Sequence, residues 1–274
     1  KRYLQAMISG SFLVLYPVIA RSYISYYPEG SVALFNYAMR LIELPLLISV
    51  TFISILLMPR LSKSHIDNSS LYGKLIMFGM QLILMLSICA SVVLIGGSDI
   101  YVNLVYGTAL PPQNLSVIQS MVQIGLVGIL FQGLSIFITS VHNSSGNTLL
   151  PVKINMMGLI GLISFLSISD DLSIQDIMLS VVITYFLTSV LFLFSIKFVG
   201  FSWRVFFSYW FFYLGILVLS IVTYFLCNII KGSDIGVYFE FIILIIVSFI
   251  FVFISAICHT DVRKILVMKF NKYV

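Results

Sequence analysis

The chain has 274 residues, of which 60% are hydrophobic and only 9% charged. A soluble domain carries about 25% charged residues, so a water-soluble globular fold is excluded. The formal net charge of +5 does not mark a nucleic-acid binder, because most basic residues cluster in or beside short connections between apolar runs, where they set membrane topology.

Those runs are each about 20 residues long, the length of a transmembrane helix. A membrane β-barrel would show alternating segments of about ten residues instead. In chain order the predicted spans cover 4–26, 31–58, 72–95, 115–141, 150–168, 177–197, 206–229 and 236–258. The expected fold class is therefore an all-α integral membrane protein with eight transmembrane helices. If the N-terminus is cytoplasmic, Lys1, Arg2, Arg60, Lys63, Lys74, Lys153, Lys197, Arg204 and the tail residues Arg263, Lys264, Lys269 and Lys272 all fall on the cytoplasmic side. Only Lys231 joins Glu29, Asp99, Asp170, Asp171, Asp176, Asp234 and Glu240 on the other. By the positive-inside rule both termini are cytoplasmic. The first run is too long for a signal-peptide core and lacks an A-x-A exit. The start at Lys1 reads as a cut through a longer protein.

The first span holds Arg21 and the second holds Arg40 and Glu43, all within apolar surroundings. The second span is also long: its 28 residues would reach about 42 Å at helical rise, against a hydrocarbon core of about 30 Å. Pro45 supplies a bend, since it lacks an N–H and clashes with the preceding turn. Arg40 and Glu43 are spaced i, i+3 and share one helix face. Arg40 lies about 15 Å, and Arg21 about 10 Å, from the outer boundary at helical rise, so the two arginines reach comparable depths. A structural pair of Arg40 with Glu43, with Arg21 snorkelling outward, is one reading. The other is a shared polar cavity, the usual role of intramembrane ionisable groups. Two arginines against one acid favour an anionic ligand, and the guanidinium fork suits phosphate.

The connection GGSDIYVNLVYGTALPPQN is the longest on the outer side and predicts a short interfacial helix around Ile100 to Tyr106. The fourth span carries Gln119 and Gln123 at i, i+4, then Gln132. Gln123 is a candidate for lining the cavity, and packing between helices is the alternative. Gly125, Gly128 and Gly133 allow close helix approach. Cys89, Cys227 and Cys258 form no C-x-x-C pair, and His65, His142 and His259 fall at span ends. No H-E-x-x-H or Walker A sequence occurs, so no enzyme activity, cofactor or metal is expected. The sequons at Asn68, Asn114 and Asn143 are short enough to arise by chance.

The stretch PEGSVALFNYAMRLIELP, followed by ILLMPRLSK, resembles the signature of the MurJ/MviN lipid II flippase family over Pro28 to Ser62. NTLLPVKINMM (Asn147 to Met157) is similar to a later helix entry of the same family. The resemblance implies membership of the multidrug/oligosaccharidyl-lipid/polysaccharide exporter superfamily, whose members work by alternating access. Family members have two six-helix lobes and two further helices, and the signature helix is the eighth. The chain then corresponds to helices seven to fourteen, with 1–200 as the second lobe and 201–274 as the appended pair with a basic tail. The N-terminal lobe would be a missing partner.

By the same resemblance Arg40 matches the family's cavity arginine, thought to meet the lipid-linked diphosphate, and Arg21 a position that is often basic. Two departures stand out. Met39 replaces an Asp usual before the signature arginine, and Ala20 replaces an acid used in family members with a sodium site. The implied function is a flippase of the bacterial cytoplasmic membrane. It would move a polyprenyl-diphosphate-linked saccharide, lipid II first, to the outer leaflet, with that lipid and the membrane as its partners. An O-antigen or exopolysaccharide flippase and a truncated non-transporting remnant are the alternatives.

Overall fold

The computed structural model describes residues 2–67, 69–169, 171–196 and 210–231, with scattered positions between 239 and 254. Among these residues the secondary structure is helical throughout. The order is α1 (Arg2–Ile24), α2 (Ser31–Leu46), a π-helical stretch (Leu47–Thr51), α3 (Phe52–Asp67), α4 (Ser69–Gly96), α5 (Ser98–Tyr106), α6 (Pro112–Ser144), α7 (Leu149–Ile168), α8 (Ile174–Ser195) and α9 (Trp210–Lys231). Segments Leu71–Gly96, Pro112–Ser144, Leu149–Ile168 and Ile174–Ser195 are long and apolar enough to cross a membrane. Most of the predicted span 236–258, with Cys258, His259 and the basic tail, lies outside the described residues.

Local sequence sets the helix boundaries. Gly30 takes a left-handed φ of 91° before α2, a conformation that costs glycine nothing. The N–H of Ser31 then closes the turn onto the Pro28 carbonyl at 3.1 Å. Pro112 starts α6 in its first turn, where a missing N–H is harmless. Ser173 and Asp176 form a capping box on α8: the Ser173 Oγ accepts from the Asp176 N–H at 3.2 Å, and the Asp176 Oδ2 accepts from the Ser173 N–H at 2.9 Å. The short helix expected in the outer connection is α5.

The long second span is divided. Pro45 lies near the end of α2, and the π-helical stretch begins two residues later. Proline leaves the carbonyl four residues back without its usual donor; for Pro45 that is the carbonyl of Leu41. The hydroxyl of Tyr101, on α5, donates to this carbonyl at 3.0 Å.

Helix α6 is the hub, packed against α8, α4, α2, α3 and α5. Its glycines permit this approach, as their spacing predicted. A Cβ at Gly125 would run into Ile42 of α2, and one at Gly133 would press on Val50 and Ile83. On the other flank α1 packs on α7 and α8. The hydroxyl of Tyr16 donates to the Asn155 carbonyl at 3.0 Å, and that of Tyr185 to the Leu13 carbonyl at 3.2 Å. The two rings lie 5.4 Å apart. Large apolar side chains of α7 and α8 remain exposed, among them Met157, Ile160, Phe165, Ile183 and Leu187, as suits a surface solvated by acyl chains. α1 to α8 share one core cluster, while α9 packs on α4 through a smaller one containing Met85, Cys89 and Ile216.

Candidate functional site

A cavity of about 550 Å³ lies between α1, α2, the π-helical stretch, α6 and α8. α1 contributes Arg21 in its last turn, where a cation also complements the helix dipole. α2 contributes Glu43 and Met39, the π stretch Thr51, and α8 Tyr185. Helical rise set Arg21 at the depth of Arg40; the lining instead joins Arg21 to Glu43. Both side chains are exposed, and so is Arg40.

Arg40 is not among the lining residues of this cavity. It sits one turn from Glu43 on the exposed side of α2, beside Tyr37. The Tyr37 and Tyr106 rings are 4.9 Å apart. Burial first, and Tyr37 second, push the Tyr106 hydroxyl above its ordinary pKa, while the Arg40 guanidinium pulls it down. Arg40 is therefore within electrostatic reach of the end of α5. Met39, at the position of the family's acid, is 7% exposed and Ala20 is fully buried. Pro45 precedes the π stretch whose Leu47 and Thr51 line the cavity.

Gln123 is placed elsewhere. Its Nε2 donates to the Ser98 Oγ at 2.7 Å, and that of Gln119 to the same oxygen at 3.3 Å, so these amides tie α6 to the start of α5. Gln132 does line the cavity. It is nine residues further along α6, which at about 100° per residue puts it on the opposite side of the helix.

The lining of α6 extends well past this amide. Gln132, Ile136, Thr139, Ser140 and Asn143 all face the cavity. They are spaced i, i+4, i+7, i+8 and i+11, a single helical stripe. Thr139 Oγ1 and Asn143 Oδ1 are buried and make no hydrogen bond, whereas the Ser140 hydroxyl is satisfied by the Ile136 carbonyl at 3.1 Å. Among the described residues no group of His, Cys, Asp and Glu converges as metal ligands would. The cavity thus combines one cation, one anion and a neutral hydrogen-bonding strip.

Comparison with known proteins agrees with this architecture. The family model described as lipid II flippase MurJ matches residues 1–247. A solved structure, lipid II flippase MurJ in an inward closed conformation, has a TM-score of 0.71 at 18% sequence identity. The alignment covers 92% of this chain and 51% of that one, so the chain spans about half the length of that protein. No curated protein matches. With the signature stretch folded into α2 and α3 and the family model covering nine-tenths of the residues, the chain belongs to the MurJ lipid II flippase family.

Proposed function

We propose that the chain serves as the cavity-bearing lobe of a lipid II flippase, a transporter rather than an enzyme. The observation that carries this reading is the exposure of Arg21, Arg40 and Glu43 on the adjacent helices α1 and α2. An ionised arginine facing lipid costs at least about 2.5–3.5 kcal/mol on insertion scales, so these groups face an aqueous or protein-lined compartment. Apolar residues are exposed near them, including Val14, Val18, Leu44 and Leu47. Charged groups set among such residues suit a cargo with an anionic group and a hydrophobic tail.

In this reading the substrate is a polyprenyl-diphosphate-linked saccharide, lipid II. Arg21 and Arg40 neutralise its diphosphate through charge-assisted hydrogen bonds, and Glu43 keeps the empty face near neutrality. A second six-helix lobe faces α1 and α2, and alternating access arises as the lobes rock about the site between them. Eight spans cross the bacterial cytoplasmic membrane with both termini inside. Residues 1–200 form the lobe and 201–274 an appended helix pair. The π stretch after Pro45 is the point at which the second span changes direction.

Genetic complementation tests the assignment. The full-length gene should restore growth to cells depleted of their own lipid II flippase. Failure at normal expression, with the protein in the membrane, would overturn the lipid II assignment.

A further inference from the structure

The neutral strip on α6 has no part in meeting a diphosphate. Amides and hydroxyls bind anions weakly beside an arginine, yet this strip continues the same cavity from Arg21 and Glu43 toward the C-terminal end of α6. Thr139 Oγ1 and Asn143 Oδ1 lie there without a hydrogen-bond partner. Desolvating a hydroxyl or an amide oxygen is unfavourable unless a partner takes it up. A polar, uncharged occupant rich in donors and acceptors would satisfy both atoms.

Resting on the flippase reading above, we infer that Gln132, Thr139 and Asn143 form a sugar-reading ladder that seats the uncharged sugar attached to the cargo's diphosphate. The ladder then sets specificity and the arginines set charge. A bare polyprenyl diphosphate would engage the arginines alone, whereas a sugar-bearing one would also satisfy the ladder. A site built to hydrogen-bond a ligand discriminates strongly against an analogue lacking those groups, because its own polar atoms are then left unpaired.

Two probes and three variants of the full-length protein test this, with binding read by native mass spectrometry in lipid nanodiscs. The probes are polyprenyl diphosphate and polyprenyl diphosphate carrying N-acetylglucosamine. The unmodified protein should prefer the sugar-bearing lipid. Combining Thr139→Val with Asn143→Leu should weaken that lipid about tenfold, the equivalent of 1.4 kcal/mol, and leave bare diphosphate binding unchanged. Thr139→Ser keeps the hydroxyl and should bind both lipids as the unmodified protein does. Arg21→Ala should weaken both lipids together. The ladder is overturned if the double variant binds the sugar-bearing lipid normally, if it loses both lipids equally, or if the unmodified protein does not distinguish them. If the unmodified protein binds neither lipid, the flippase reading itself fails and the ladder fails with it.

Discussion

The hydroxyl of Tyr101 donates to the backbone carbonyl of Leu41 at 3.0 Å, the acceptor whose usual i+4 donor is missing because residue 45 is proline. A side chain from the short helix α5 thus adds a hydrogen bond to the signature helix α2. Tyr101 is buried at 6% exposure, so this bond is shielded from water. Tyr101→Phe should lower stability by about 1–3 kcal/mol, the cost of an unsatisfied buried acceptor. Pro45→Ala restores an N–H opposite Leu41, so Tyr101→Phe should cost less in that background. Thermal unfolding of the four proteins in detergent measures the coupling, and purely additive effects would contradict the bond's compensating role.

Arg40 and Arg21 should respond differently from ordinary surface cations. If a planar fork meets the cargo's diphosphate, Arg40→Lys keeps the charge but loses bidentate geometry. Transport should then fall with Arg40→Ala and recover only in part with Arg40→Lys. Growth rates of complemented cells, normalised to membrane protein level, measure this. Full activity of Arg40→Ala would remove Arg40 from the site.

The α6 hub makes a packing prediction. A Cβ at Gly133 would meet Val50 Cγ2 at 2.8 Å and Ile83 Cγ2 at 3.3 Å, both β-branched side chains with little freedom to turn away. Gly133→Val should therefore destabilise the fold by about 1–3 kcal/mol through overpacking. Gly161 has open space around it, and Gly161→Ala should leave the melting temperature unchanged or slightly raised. A Gly133→Val protein as stable as the unmodified one would contradict the packing of α6 against the π stretch.

The α8 capping box predicts a smaller effect. Ser173→Ala removes the side-chain acceptor for the Asp176 N–H and should cost about 1 kcal/mol. Hydrogen exchange should show faster opening in the first turn of α8, with the centre of that helix unaffected.

Much of this architecture is legible in the sequence because a bilayer forces long apolar helices and punishes stray charge. The runs that became α4, α6, α7 and α8 are of this kind, and Gly and Pro bracket α5 clearly. Counting helical rise from one turn set Arg21 and Arg40 at comparable depths, but the residues that share the cavity are Arg21 and Glu43, because helical phase as well as depth decides which side chains meet. The choice between Gln123 and Gln132 was harder. Both are glutamines in the same apolar helix, and only knowledge of which side meets α1 and α2 separates them. Their nine-residue spacing already placed them on opposite sides, but the direction of each was fixed by packing. Thr139 and Asn143 were missed for the same reason: a stripe of small polar residues reads as interhelical packing until a cavity is found beside it. The divide between α2 and α3 also depends on packing. Pro45 signals a break, and the wider π turn follows two residues later, where Val50 is buried against Gly133 of α6.

The central claim is that α1 and α2 present Arg21, Arg40 and Glu43 to a lipid-linked diphosphate being moved across the membrane. The most direct measurement is the leaflet distribution of lipid II in cells whose only flippase is the full-length protein. The unmodified protein should place lipid II in the outer leaflet, where an externally added lipid II-degrading enzyme can reach it. Combining Arg21→Ala with Arg40→Ala should leave it protected inside. Equal accessibility with the double variant and with the unmodified protein would contradict the account.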